Sequence, residues 1–274
     1  VIRAICLLLF LPGLAQAACR QALALGLDVS ESVDSAEYRL QLDGLAAALD
    51  SAAVREVLFI QPDAPIKVLV YEWSGPTDQT IIVPWATIAS AADLAEITQT
   101  LRTHQRRPTA PTTAIGSAML AGFTYLEQQR DCWKRTLDLS GDGQSNTGPR
   151  PQTIRADSIP NGVVVNGLVI GAGIMRGDDE RFADIKALSS YYRATVIRGP
   201  GSFVETALGF EGYAAAMERK LLRELVGLVM GSLEAPSNPI AKHRRQKRNG
   251  LALQRTSPFK PLSSLPTSER LLHL

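Results

Sequence analysis

A short apolar run that ends in evenly spaced oxygen side chains constrains this chain most. Leu23-Ala24-Leu25-Gly26-Leu27 stops at Asp28, and Ser30 and Ser32 follow at two-residue intervals. Such a run reads as a buried parallel strand emptying into a loop. In open α/β sheets, ligands sit outside the carboxyl ends of the strands. One carboxylate and two hydroxyls at i, i+2 and i+4 are hard oxygen ligands, suited to Mg²⁺, Mn²⁺ or Ca²⁺ rather than Zn²⁺. Taken alone the pattern is weak, because Asp and Ser are also ordinary cap and turn residues.

The rest of the chain alternates strands and helices. Asp34 or Ser35 caps a helix in which Leu42, Leu45, Ala46 and Leu49 recur at helical spacing up to about Asp50, and Pro62 and Pro65 close the following loop. Residues 66–73 and 79–83 read as strands joined by Ser74-Gly75-Pro76. That link is too short for a parallel crossover, so the pair is an antiparallel hairpin, with Pro84 ending its edge strand. Helices are expected over 91–101, 113–129, 179–190 and 206–230, and further strands over 135–139, 163–170 and 194–197. The sum is a doubly wound α/β fold, a mostly parallel six-stranded sheet with one antiparallel edge strand.

Charge divides the chain differently. The net charge of 274 residues is only +2, but residues from Ala235 onward carry eight Lys/Arg against one Asp/Glu. The body is therefore mildly acidic and the tail basic. Pro236, Pro239, Pro258, Pro261 and Pro266 punctuate residues 234–274, and Lys242 to Arg248 reads KHRRQKR. This composition reads as a disordered, solvated tail, and no nucleic-acid partner is expected. At the other end, Arg3, the apolar Ile5 to Leu11 and the small-x-small Ala15-Gln16-Ala17 read as a signal peptide over 1–18. The expected body, 19–233, is thus exported, periplasmic or secreted, with no transmembrane anchor after cleavage.

Several catalytic readings fail on composition. Asp138-x-Ser140-x-Asp142-Gly143 imitates a Ca²⁺ loop, but Pro149 stands where the closing glutamate belongs. Gly171-Ala172-Gly173 follows a strand, yet Arg176 interrupts the dinucleotide fingerprint. Asp138 occupies the first glycine position of a nucleophile elbow around Ser140. His104 is the only histidine before the tail, which poorly supplies a Ser-His-Asp or histidine–zinc site. Tyr71, Trp73, Trp85, Tyr191 and Tyr192 read as packing or edge residues, with an aromatic recognition patch as the lesser option.

Three segments carry uncovered oxygen ligands: Asp28-x-Ser30-x-Ser32, Thr113 at a helix start, and Asp142-Gly143 after a strand. In order and spacing they resemble the metal-ion-dependent adhesion site (MIDAS) of von Willebrand factor type A (vWA) domains, over residues 20–232. The segments EYRLQ, EWSGP, VPW, TTAIGSAM, LDLSGDGQSN, VNGLVIG and YYRATVIRGPGSFVE resemble a bacterial exported subgroup of that superfamily. The resemblance implies that Asp28, Ser30, Ser32, Thr113 and Asp142 hold a divalent ion, with Thr112 competing for the threonine position. It implies a binding module in which an acidic side chain of a protein partner completes the metal shell. The alternatives are a metal-dependent hydrolase using the same carboxylates, and a metal-free structural module.

The vWA topology makes the strands near Leu23 and Arg135 parallel neighbours. Cys19 lies nine residues before Asp28 and Cys132 ten before Asp142. Level aspartates then imply level cysteines at ~4.8 Å, and a Cys19–Cys132 disulfide. Asp138 falls inside an apolar strand; it is expected to support the ligands from behind by hydrogen bonds, or else to face outward near the strand end.

Overall fold

The computed structural model describes residues 19–171 and 178–232. The signal peptide expected over 1–18 and the tail expected over 234–274 lie outside the described residues. Six strands, β1 (Cys19–Asp28), β2 (Ile66–Trp73), β3 (Gln79–Ile88), β4 (Cys132–Gly141), β5 (Val163–Ile170) and β6 (Val204–Ala207), form one sheet in the order β3-β2-β1-β4-β5-β6. Every pairing is parallel except β2 with β3. The chain winds outward from β1 in both directions, so β1 is the seam, and all ten of its residues are buried.

Each face of β1 shows why. Leu23, Leu25 and Leu27 join a core shared with α1 (Ser35–Asp50), α2 (Ala52–Phe59), α3 (Ala91–Thr103) and α6 (Tyr213–Ser232). Ala22 and Ala24 turn to the opposite core, built with α4 (Ile115–Glu127) and α5 (Asp178–Thr195). The small residues on that face let large side chains approach. A Cβ at Gly26 would lie 2.7 Å from both the Tyr71 ring and Leu139. Among the described residues no helix is long and apolar enough to cross a membrane.

The doubly wound sheet with one antiparallel edge strand is the expected architecture, and four local expectations are corrected. Pro84 does not end β3, which runs on to Ile88; the β2–β3 register shifts around the proline, which removes no ladder hydrogen bond on an edge strand. The stretch before Pro62 is not all loop: Ser51 caps α2, its hydroxyl accepting from the Val54 N–H at 3.4 Å. Residues 194–197 are not a strand. Ala194 and Thr195 finish α5, and Val165 and Arg198 form a single antiparallel bridge. The sixth strand is β6, and the final helix begins at Tyr213, after a short 3-10 turn over Phe210–Gly212.

At the far end of the sheet from Asp28, Cys19 and Cys132 are register partners and form a disulfide, with Cα atoms 4.4 Å apart. Both cysteines are buried.

Candidate metal centre

The D-x-S-x-S segment leaves β1 and turns at once into α1. The Val29 N–H donates to the Trp73 carbonyl at 2.9 Å, and the Val33 N–H closes a turn on the Ser30 carbonyl at 3.1 Å. Asp34 then caps α1 with a reciprocal box. Its Oδ1 accepts from the Ala36 and Glu37 N–H groups, and Glu37 Oε2 accepts from the Asp34 N–H. Gln41 holds the start of the loop, its Nε2 donating to the Asp28 carbonyl at 2.9 Å. Arg106, from the loop after α3, holds the rest. Its guanidinium donates to the carbonyls of Val29 (3.2 Å), Ser30 (3.3 Å) and Val33, and lies 5.6 Å over the Tyr38 ring. A cation that satisfies three loop carbonyls fixes the backbone that presents Ser30 and Ser32.

The side chains converge at the ends of β1 and β4. Asp28 is fully buried; its Oδ1 accepts from the Ser30 N–H at 2.9 Å, and its Oδ2 has no protein partner. The Ser30 and Ser32 hydroxyls are 3.2 Å apart, and Ser32 Oγ donates to Asp142 Oδ1 at 2.7 Å. Burial pushes the Asp28 carboxyl up to about 7; the Asp142 charge adds to this and the Ser30 N–H opposes it. Burial also raises Asp142, against the hydrogen bond from Ser32. Two desolvated carboxylates sharing a hydroxyl network are the electrostatic setting that a divalent cation relieves.

Thr113 precedes α4 and is buried. A Cβ at Gly143 would lie 4.0 Å from its Oγ1, so the hydroxyl borders the Asp142-Gly143 turn. Thr112 points elsewhere, its Oγ1 3.3 Å from the Cβ position of Gly75. Asn146 ties the two segments together: its Oδ1 accepts from the Thr113 N–H and its N–H donates to the Thr113 carbonyl, both at 2.9 Å. Tyr191 adds a prop from α5, its hydroxyl accepting from the Ser145 N–H at 3.3 Å. All five ligand candidates named from the sequence thus lie at one end of the β1–β4 pair.

Asp138 is placed differently from the expectation. Side chains alternate along β4, and Asp138 turns to the α6 face with Leu25, its register partner. There its carboxylate meets the ammonium of Lys220, itself fully buried, and no hydrogen bond joins it to the ligand candidates. Lys220 Nζ also contacts Glu224 Oε1 at 2.5 Å, and Asn166 Nδ2 donates to that oxygen at 2.6 Å. Burial pushes the Asp138 carboxyl up to about 7, with Lys220 opposing and Glu224 adding. Burial works against the Lys220 charge, but the flanking carboxylates outweigh it and its pKa is raised. Asp138 therefore anchors α6 to the sheet. The sequence pattern gives no sign of Lys220, Glu224 or Arg106, which act from distant elements, nor of Gln41, which on α1 reads as an ordinary polar helix residue. Asn146 lay within the LSGDGQSN segment and was overlooked.

The donor set is two carboxylates and three hydroxyls. Among the described residues no group of three or more His, Cys, Asp or Glu side chains could hold a metal, so binding here depends on hydroxyls. His104, the only histidine among the described residues, stands 3.6 Å from Glu72 and away from the site hydroxyls. A cavity of about 470 Å³ opens beside Ser32, Asp142 and Gly143, floored by Ile170 and Phe210.

This sheet order is that of a vWA-like α/β fold. The chain belongs to the family described as "Protein of unknown function (DUF1194)", which matches residues 18–229. No curated protein is similar enough to match it. Among solved structures, proximal thread matrix protein 1 from the mussel byssus with a zinc-occupied MIDAS motif aligns with a TM-score of 0.54 at 17% identity. That alignment covers 77% of this chain and 49% of the mussel chain, so this chain spans about half the length of that relative. A second crystal form gives a TM-score of 0.52 at the same identity and coverage. A von Willebrand factor type A structure from Catenulispora acidiphila aligns over 77% of this chain and 43% of that one, at 13% identity and a TM-score of 0.48.

Proposed function

We propose that the body of the chain, 19–233, is an exported binding module that holds a divalent cation and recruits a protein partner through it. Asp28, Ser30, Ser32, Thr113 and Asp142 hold the ion, Mg²⁺ first and Mn²⁺ or Ca²⁺ as alternatives. The observation that carries this reading is the pair of carboxylates, Asp28 fully buried and Asp142 half-buried, linked through the Ser30 and Ser32 hydroxyls at adjacent strand ends. Two carboxylates neutralise a divalent charge, and the hydroxyls leave room for a ligand from outside. An acidic side chain of the partner is that ligand. The open cavity beside Asp142 supports access from solvent. The zinc-occupied motif of the mussel protein supports divalent-metal use as a class. The disulfide supports an oxidising compartment, periplasmic or extracellular.

The test is calorimetric titration of Mg²⁺ and Mn²⁺ into the wild type and Asp28→Ala. Saturable heat in the wild type that disappears in the variant is expected; equal heats remove the site. Partner capture from a periplasmic extract, with and without chelator, then asks whether recruitment follows the metal.

A further inference from the structure

Two glycines on neighbouring strands make a slot for one tyrosine ring. A Cβ at Gly167 of β5 would lie 2.7 Å from Tyr192 Cδ1, and a Cβ at Gly141 of β4 would lie 2.5 Å from the Tyr192 hydroxyl. Neither glycine has a positive φ. Their lack of a side chain therefore serves space, not backbone conformation. The slot carries the fully buried ring of Tyr192 across the α5 face of the sheet and delivers its hydroxyl to the end of β4.

What waits there is Asp28. The same Cβ position at Gly141 lies 3.0 Å from Asp28 Oδ2 and 3.4 Å from Trp73 Cζ2. Tyr192 Oη, Trp73 Nε1 and Asp28 Oδ2 are all buried, and none has a hydrogen-bond partner within the protein. The Tyr192 hydroxyl and Asp28 Oδ2 thus meet over a single glycine, with the Trp73 ring beside them. A buried polar group left unpaired costs about 1–3 kcal/mol. A phenylalanine would fill the slot equally well, so the hydroxyl needs its own explanation. Burial, followed by the charges of Asp28 and Asp142, holds the Tyr192 phenol well above its ordinary pKa, which keeps it a donor.

We propose that Tyr192 is a positioning residue of the metal centre: its O–H, unpaired in the metal-free chain, turns to donate to Asp28 Oδ2 when a cation binds and sets the plane of the carboxylate toward that cation. The inference rests on the metal reading above. The Ser30 N–H already holds Oδ1, so a donor on Oδ2 would fix the carboxylate from both sides. Groups that orient metal ligands in this way set affinity without touching the metal. Tyr191, next in the chain, acts separately through the Ser145 N–H.

The full chain carrying Tyr192→Phe tests this with two readouts of opposite sign. Mn²⁺ affinity by calorimetry falls about tenfold, the cost typical of losing such an orienting partner. The melting temperature in chelator stays level or rises, because the variant has removed an unpaired buried donor. A hydroxyl with a merely structural role would lower both together, and that result overturns the proposal. A third readout follows tyrosine absorption: added Mg²⁺ shifts it in the wild type and in Tyr191→Phe, and not in Tyr192→Phe. Wild-type Mn²⁺ affinity in Tyr192→Phe, alongside loss of binding in Asp28→Ala, sinks this inference and leaves the metal site standing. Absence of metal heat in the wild type sinks both.

Discussion

Replacing Lys220 by methionine keeps most of the aliphatic stem and deletes one charge from a sealed cluster. The wild-type ammonium sits between Asp138 on β4 and Glu224 one turn along α6, and none of the three is more than 1% exposed. Without it, two buried carboxylates face each other with the Asn166 amide as their remaining side-chain donor. Removing one partner of a buried pair costs about 3–5 kcal/mol, far more than the pair's net contribution relative to apolar residues. The cost depends on pH. Asp138 already titrates near 7 in the folded chain, against an ordinary value of 3.8, so its protonated form favours folding. That contribution is complete below about pH 4 and is lost as pH rises through 7. In Lys220→Met the carboxyl moves higher still, so the variant tolerates pH 5 better than pH 8. The expected loss is about 3 kcal/mol at pH 5 and about 5 kcal/mol at pH 8. For a body of this size, that lowers the melting temperature at pH 8 by roughly 10–15 °C. Urea unfolding by circular dichroism in chelator, at both pH values, measures it. A loss below about 1 kcal/mol, equal at both pH values, would refute the reasoning, because isolated buried carboxylates cannot be that well tolerated.

Two further outcomes follow from the architecture. Cys132→Ala opens a loop of 113 residues and is expected to destabilise by about 4 kcal/mol in urea, while Mn²⁺ affinity is unchanged because the bridge lies at the opposite end of the sheet. Arg106→Ala removes three hydrogen bonds to the ligand loop and should weaken Mn²⁺ binding about tenfold, whereas the exposed Arg107→Ala leaves it near wild type by calorimetry.

The sheet was legible because its strands are apolar runs of distinctive length. The disulfide pairing became readable only once a resemblance had made two particular strands neighbours. Ligand candidates were legible for a related reason: they follow strand ends, where position along the chain sets position in space. The errors have a common origin in groups whose partners are distant. Thr195 and Val196 look β-branched and strand-like, but Tyr192 and Val196 lie one helical turn apart and bury one face of the chain against the sheet. β6 has only four residues and alternates polar with apolar, a signal too short to stand out. Asp138 was misassigned because strand alternation, which sends it to the α6 face, gives no hint of a lysine 82 residues later.

The disulfide has a consequence for how the sheet is assembled. β1 is synthesised first, yet its second neighbour, β4, begins 113 residues later. Until then β1, whose central run Ala22 to Leu27 is apolar, has one edge without its native partner, a template for wrong pairing. Cys19 and Cys132 come opposite each other only when β4 enters in the native register. A slip of two residues, which preserves the inside-out pattern, would move the sulfurs apart by roughly 6.6 Å along the strand, beyond bridging range. The bridge is therefore compatible with the native register alone, the one that sets Asp28 level with Gly141 and next to Asp142.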